Sequence, residues 1–295
     1  MLGEKTLTVL ETKRSGRESM NGGTRYSIGD MSRICHISKK ALRYYDRIGL
    51  IVPKRQDCNN YRYYTDESLL TVPVIKYYKQ MGFTLDEMRA LIEGEANVCR
   101  AIQNSFLEKI KELEREQEEI RRKYTSVKDW CDLILEAEMV IDNNIRDVAI
   151  KYVEPVGLLS QWQPFDGDLK ATIVNMEFTN FVEERGNEIA GPVILHFSSF
   201  QERVSAKPRL VQIMQKALKP CREEDSTRFG GCMMAACYHI GSHESLGATY
   251  EKIIAWADKR GYKMTGDCYE RYVTDYWTTN NSAQFVMEVM LQLTR

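Results

Sequence analysis

The stretch "ISKKALRYYDRIGLI", residues 37–51, decides the fold. Ser38 is a residue type whose side-chain oxygen caps helix N-termini, and Gly49 is the residue type that most readily ends a helix. Between them Ala41, Leu42, Tyr45 and Ile48 fall at i, i+1, i+4 and i+7, one face of a helix. Lys39, Lys40, Arg43, Tyr44 and Arg47 take the other face. The first face requires a core, and the second requires an anionic partner.

Upstream, "SIGD" (27–30) is a capping box in which Ser27 and Asp30 open a short helix to about Ile34. Two short helices joined by a tight turn form a helix-turn-helix. Downstream, Pro53 forbids a helix, Asn59 and Asn60 signal a turn, and "YRYY" (61–64) favours strand, which together predict a β-hairpin wing. Thr65 caps a third helix with Asp66 and Glu67 in its first turn; Pro73 inside it is expected to kink it. "TLDE" (84–87) is a second capping box, opening a helix to about Glu93.

The 295-residue chain carries 41 Lys and Arg against 42 Asp and Glu, so total charge predicts no polyanion partner. Locally the balance is different. From Arg25 to Tyr64 there are nine bases and three acids, +6, the footprint of a phosphate-backbone partner. In a winged helix-turn-helix the second helix enters the major groove and the wing follows the backbone. The DNA-facing set is therefore Ser27, Lys39, Lys40, Arg43 and Tyr44, with Asn60, Tyr61, Arg62 and Tyr63 from the wing.

A second segment, 98–138, places Phe106, Leu113, Ile120, Val127 and Ile134 seven apart, with Ile110, Gln117, Tyr124 and Cys131 following at +4. This is the a/d seam of a coiled coil. A lone helix cannot bury such a stripe, so the expected partner is a second copy of the chain; its own C-terminal domain is the alternative.

The third segment, about 146–295, contains a faint repeat: "FVEERGNEIAG" (181–191) matches "WADKRGYKMTG" (256–266) at an offset of 75. Each copy follows an amphipathic helix and precedes an apolar strand, "PVILHF" and "CYERYV". Two strand–helix–strand halves predict a pseudo-two-fold α+β domain with a cleft between them. In "GDCYERYV" alternation puts Cys268, Glu270 and Tyr272 on one face, and the other half has Leu195 where this one has Glu270. A carboxylate on a face expected to be buried is costly without compensation. A cationic ligand would supply it, with Tyr152, Phe197, Tyr238 and Tyr272 offering aromatic faces; the alternative is that Glu270 pairs with Arg271 or another base at an edge. His239 and His243 flank a turn and are expected at the surface or as caps.

Residues 1–24 are polar and aperiodic and predict a disordered tail. There is no signal-peptide pattern and no apolar run of membrane-spanning length, so the expectation is a cytoplasmic protein, with its eight cysteines reduced and no membrane partner. Zinc-site cysteine spacing is absent, and no metal or other cofactor is expected.

With these residues in place, "YSIGDMSRICHISKKALRYYDRIGLIVPKRQDCNNYRYYTDESL…KYYKQMGFTLDEMRALI", residues 26–93, resembles the DNA-binding domain of the MerR family of transcription regulators. The resemblance implies DNA contacts by Arg43, Tyr44, Tyr61 and Arg62, a second wing around Gly82 and Phe83, and a homodimer through antiparallel helices. It also implies activation at promoter double-stranded DNA. The dimer sits on an overlong spacer and, once its effector binds, kinks and untwists it for RNA polymerase holoenzyme. Metal-sensing members carry cysteines at the start of the dimer helix and just past its end; Cys99 matches the first and nothing matches the second. The C-terminal segment is similar to the GyrI-like domain of multidrug-responsive members, in which a buried glutamate among aromatic rings binds lipophilic cations; Glu270 matches it.

The expected organisation is α+β: a tail (1–24), a winged helix-turn-helix (25–95), a dimerisation coiled-coil helix (96–140) and a duplicated effector-binding domain (146–295). The expected function is a non-enzymatic regulator responsive to a lipophilic cationic or aromatic small molecule. Two alternatives stand beside it: a GyrI-like hydrolase with Glu270 as general base, and an effector-independent architectural DNA binder.

Overall fold

The computed structural model describes residues 24–55, 62–93, 98–204 and 210–294. Most of the expected tail and the wing residues Asn60 and Tyr61 lie outside them. The chain divides into two compact units, 1–116 and 117–295.

The first unit is the winged helix-turn-helix. Helix α1 (Ile28–Cys35) starts at a complete capping box: Ser27 Oγ accepts from the Asp30 N–H at 3.2 Å, and Asp30 accepts from the Ser27 N–H at 3.1 Å. The turn pivots at His36, whose φ is +53°. Helix α2 (Lys39–Arg47) is capped by Ser38 and stops at Gly49, whose φ of +79° suits a residue without Cβ. Strands β1 (Lys54–Arg55) and β2 (Arg62–Tyr63) pair antiparallel as the wing. Helix α3 (Asp66–Gln80) continues through Pro73, and α4 (Leu85–Glu93) opens at the Thr84–Glu87 box. Met31, Leu42, Tyr45, Tyr64, Val72, Ile75, Phe83 and Met88 form the core. Each large apolar side chain buried there contributes about 2 kcal/mol, enough in sum to hold elements this short.

Helix α5 (Val98–Asp142) is 45 residues long and carries two apolar faces. Near its start Phe106 packs edge-on against Tyr78 and against Phe83, within the first unit. Near its end Leu133, Ala137 and Val140 are buried against Val273 and Val286 of the second unit. Phe106 is the first residue of the predicted seam; further along that row Leu113, Ile120, Tyr124 and Val127 are exposed, and the Leu133–Ala137–Val140 row is a different face. The alternative expectation, packing on the chain's own C-terminal domain, holds for the end of the helix. Its last turns pack on that domain, whereas the seam is exposed from Leu113 to Val127.

The second unit is one eight-stranded sheet, ordered β3-β8-β10-β9-β5-β6-β4-β7. Its strands are β3 (Ala149–Val153), β4 (Val156–Pro164), β5 (Ile189–Phe197), β6 (Leu210–Ala217), β7 (Ser226–Phe229), β8 (Cys232–Ile240), β9 (Lys263–Thr274) and β10 (Val286–Thr294). Helices α6 (Leu169–Ile173), α7 (Met176–Glu184), α8 (Phe200–Val204) and α9 (Leu246–Lys259) complete it. The repeat is real and longer than the sequence motif. Each half runs strand, helix, strand, strand: β4, α7, β5, β6 and then β8, α9, β9, β10. Gly186 and Gly261, one repeat apart, end the two helices with φ of +62° and +70°.

The halves meet strand to strand, β5 against β9, in place of the expected cleft. In that register Leu195 lies opposite Glu270. These are repeat equivalents, and they face one another at the pseudo-two-fold axis. The unforeseen interior strand, β10, is buried along almost its whole length: Met287, Val289, Leu291 and Leu293 line one face, and Glu288 and Gln292 stand with Val286 and Met290 on the other.

Candidate functional site

On the first unit, the two adjacent tyrosines of α2 part company: Tyr45 is 9% exposed in the core and Tyr44 is 45% exposed beside Lys39, Lys40 and Arg43, all exposed. This follows from the helical period, which turns neighbouring side chains about 100° apart. Arg62 is tied to Asp46 of α2, with Nε 3.1 Å from Oδ2, so the wing and the second helix are cross-braced. Tyr63 carries the Arg25 guanidinium over its ring at 4.6 Å. Ser27 is engaged in its capping box and also donates to Asp30 Oδ2 at 2.7 Å, so its hydroxyl serves the helix start.

In the second unit, Glu270 is fully buried at the middle of the sheet, in the cross-strand row Cys237–Val289–Glu270–Leu195. Helices α7 and α9 cover this face with Phe178, Val182, Leu246, Tyr250 and Ile253. The carboxylate accepts from Tyr250 OH at 2.7 Å on Oε1 and from Tyr272 OH at 2.7 Å on Oε2. Arg203 of α8 donates from Nε to Oε1 at 2.8 Å. Its guanidinium lies 5.1 Å from the Phe197 ring centroid and 5.9 Å from that of Phe165. Burial works against the Arg203 charge, but the Glu270 carboxylate outweighs it and raises the guanidinium pKa. Burial and the same carboxylate hold Tyr250 and Tyr272 well above the ordinary phenol range, so both remain hydrogen-bond donors. Burial pushes the Cys268 thiol up to about 12, leaving it unreactive.

Beside this group His243 stacks on Phe285 at 5.0 Å and meets Tyr272 and Tyr276 edge-on. Burial lowers its pKa to about 4, and neither ring nitrogen has a partner among the described residues. His239 is also buried, bonded to Thr249 Oγ1 at 2.8 Å and Ser242 O at 3.0 Å. The surface position expected for these histidines is thus corrected. They flank a turn that α9 and the aromatic layer fold under, which sequence proximity to a turn does not reveal.

Of the residues grouped with Glu270 from sequence, Phe197 and Tyr272 join it. Tyr238 does not: it lies opposite Glu288, one step along from Cys237, and so points through the other face of the sheet, where its OH donates to Glu136 of α5 at 2.7 Å. Tyr152 is half exposed on β3 at the sheet edge. Arg203, Tyr250 and Phe165 are the members that sequence reasoning missed. A signal existed for Tyr250, since it stands with Leu246, Ile253 and Ala257 on the buried stripe of α9.

Across the strand from Glu270, Arg271 builds a second cluster. It bonds both carboxylate oxygens of Glu136 and donates to Glu288 Oε2 at 2.9 Å, and Lys151 also bonds Glu288. Burial raises the Glu136 pKa, and Arg271 outweighs this to bring the carboxyl below its usual range. Among the described residues no three His, Cys, Asp or Glu side chains gather as metal ligands, and no helix is long and apolar enough to cross a membrane.

A basic winged helix-turn-helix on one unit and a duplicated sheet around a buried carboxylate on the other define a ligand-binding transcription regulator. The MerR HTH family regulatory protein model matches residues 26–95, a MerR DNA-binding model matches 70–127, and the GyrI-like small molecule binding domain matches 168–294. The chain belongs to the MerR family and carries a C-terminal GyrI-like domain. The multidrug-efflux transporter 2 regulator of Bacillus subtilis is 23% identical over 91% of this chain and 96% of its own. The multidrug-efflux transporter 1 regulator of the same organism is 48% identical over 22% of this chain and 23% of its own. Among solved structures, EcmrR in a DNA complex is 21% identical, with 92% of this chain and all of that chain covered at a TM-score of 0.43.

Proposed function

We propose that this chain is a cytoplasmic, homodimeric activator whose effector is a lipophilic cation seated on Glu270. The single observation that carries the effector assignment is a fully buried carboxylate, ringed by Tyr250, Tyr272, Phe197 and Phe165, where its repeat equivalent is Leu195. An acid at the axis of an otherwise apolar face costs stability that a plain core residue avoids, so the position reads as functional. Lipophilic cations suit it by charge and by aromatic contact. The names of the relatives, multidrug-efflux transporter regulators, agree with such a ligand and with control of an efflux gene.

The exposed seam of α5 supports dimerisation with a second copy through antiparallel helices. The dimer presents two α2 helices to successive major-groove faces, with Lys39, Lys40, Arg43, Tyr44 and the wings on the backbone. Effector binding then favours a kinked, untwisted promoter spacer on which RNA polymerase engages both elements. Strand β9 is a direct route for the signal: Glu270 faces the effector, and the next residue, Arg271, grips Glu136 of the dimer helix.

The test begins with duplexes selected from random sequence by the full chain. Run-off transcription on a selected promoter is expected to rise when tetraphenylphosphonium is added. Arg43→Ala is expected to weaken binding to the same duplex about tenfold and to lower the salt slope by about one. Transcription indifferent to a panel of lipophilic cations would overturn the effector assignment; unchanged DNA affinity in Arg43→Ala would overturn the docking mode.

A further inference from the structure

A carboxylate flanked by aromatic faces selects an organic cation, and here the chain's own guanidinium occupies that position. Arg203 Nε lies 2.8 Å from Glu270 Oε1, its plane is near Phe197 and Phe165, and its side chain is 13% exposed. Three features make this occupant replaceable. Arg203 stands on a five-residue helix, α8, and not on a strand of the sheet. Among the described residues Glu270 is the one carboxylate paired with it. The two tyrosine hydroxyls on Glu270 remain when it leaves. Arg271 differs on the first two counts: it is a strand residue, and it is locked between two carboxylates, Glu136 and Glu288.

We propose that Arg203 is a tethered cation that holds the effector seat, and that an incoming lipophilic cation replaces it on Glu270. The inference rests on Glu270 being the effector seat and adds what sets its threshold. One monocation exchanges for another, so the buried carboxylate is never left uncompensated, and the released guanidinium is hydrated. A neutral or anionic ligand cannot make this exchange. The apparent affinity is reduced by the fraction of time Arg203 is absent, so the arginine excludes weak cations and passes those with enough apolar surface.

Calorimetric titration of the full chain with tetraphenylphosphonium tests this, with tetraphenylborate as the ligand of similar shape and opposite charge. Arg203→Met is expected to bind the cation about tenfold or more tightly than the wild type. Arg203→Gln, which keeps a donor for Glu270 and drops the charge, shifts the same way and serves if the methionine variant does not fold. Tetraphenylborate is expected to bind neither. Binding to the wild type that weakens in Glu270→Gln but fails to tighten in a folded Arg203 variant overturns the tethered-cation proposal alone. Cation binding that ignores Glu270→Gln, or is absent from every form, overturns the effector seat and this proposal together.

Discussion

Glu270 and Arg271 are neighbours on one strand, both buried, both in ion pairs, and they do opposite work. Side chains alternate across a sheet, so Glu270 points under α7 and α9 while Arg271 points to the end of α5. On the first face one acid meets one arginine borrowed from a short helix, with aromatic rings around them. On the second, one arginine is fixed by two acids from two elements, and Lys151 and Tyr238 complete a network. The first arrangement can exchange its cation. The second is a clamp between the sheet and α5. The comparison shows that burial of charge alone does not identify a ligand site; what matters is whether the counter-charge can leave.

The largest effect that would break this contrast comes from the clamp. Arg271→Met leaves Glu136 and Glu288 without their shared cation, and the expected loss is about 3–5 kcal/mol. Chemical denaturation of the full chain measures it, and a loss under about 1 kcal/mol would mean the network is solvated and holds nothing. The same clamp carries a pH signature. Because Glu136 is held below its usual range, its contribution is present at neutral pH and is lost as the carboxyl is protonated in acid.

Next is the aromatic layer beside Glu270. His243 is buried with both nitrogens unpartnered among the described residues, so His243→Phe is expected to stabilise the fold by about 1–3 kcal/mol. The histidine pKa falls from 6.5 to about 4, so its neutral form belongs to the fold, and stability is lost as pH drops through that window. Asp275, pushed up to about 6 by burial, acts with the opposite sign, favouring the fold below that value. The difference between His243→Phe and the wild type isolates the histidine: the variant should gain most near pH 4. Equal acid sensitivity in the two proteins counts against this assignment.

The smallest effect is the sharpest on geometry. Tyr238→Phe removes one hydrogen bond to Glu136, about 1 kcal/mol. Tyr238 faces away from Glu270, so tetraphenylphosphonium affinity should not change. A loss of affinity matching that of Glu270→Gln would restore Tyr238 to the effector site.

Much of this was legible in the sequence where the signal is local. The Ser27–Asp30 and Thr84–Glu87 boxes form as spaced, Gly49 stops α2, and the wheel separates Tyr44 from Tyr45. The repeat was legible because both halves break their helices at a glycine, and it singled out Glu270 against Leu195. What stayed hidden depends on register and on distant partners. Whether Tyr238 faces Glu270 or turns away is decided by a one-residue step in β8 that alternation alone cannot fix. Arg203 lies 67 residues from its partner on a helix too short to show a period. The two apolar faces of α5 overlap in sequence, and the heptad pattern reports the row from Phe106 and misses the buried Leu133–Ala137–Val140 row.

The most direct measurement is a crystal structure of the full chain with tetraphenylphosphonium. The account predicts the cation against Glu270, between Tyr272 and Phe197, with the Arg203 guanidinium moved off the carboxylate and the Arg271–Glu136 clamp still formed. A cation bound elsewhere while Arg203 remains on Glu270 would contradict it.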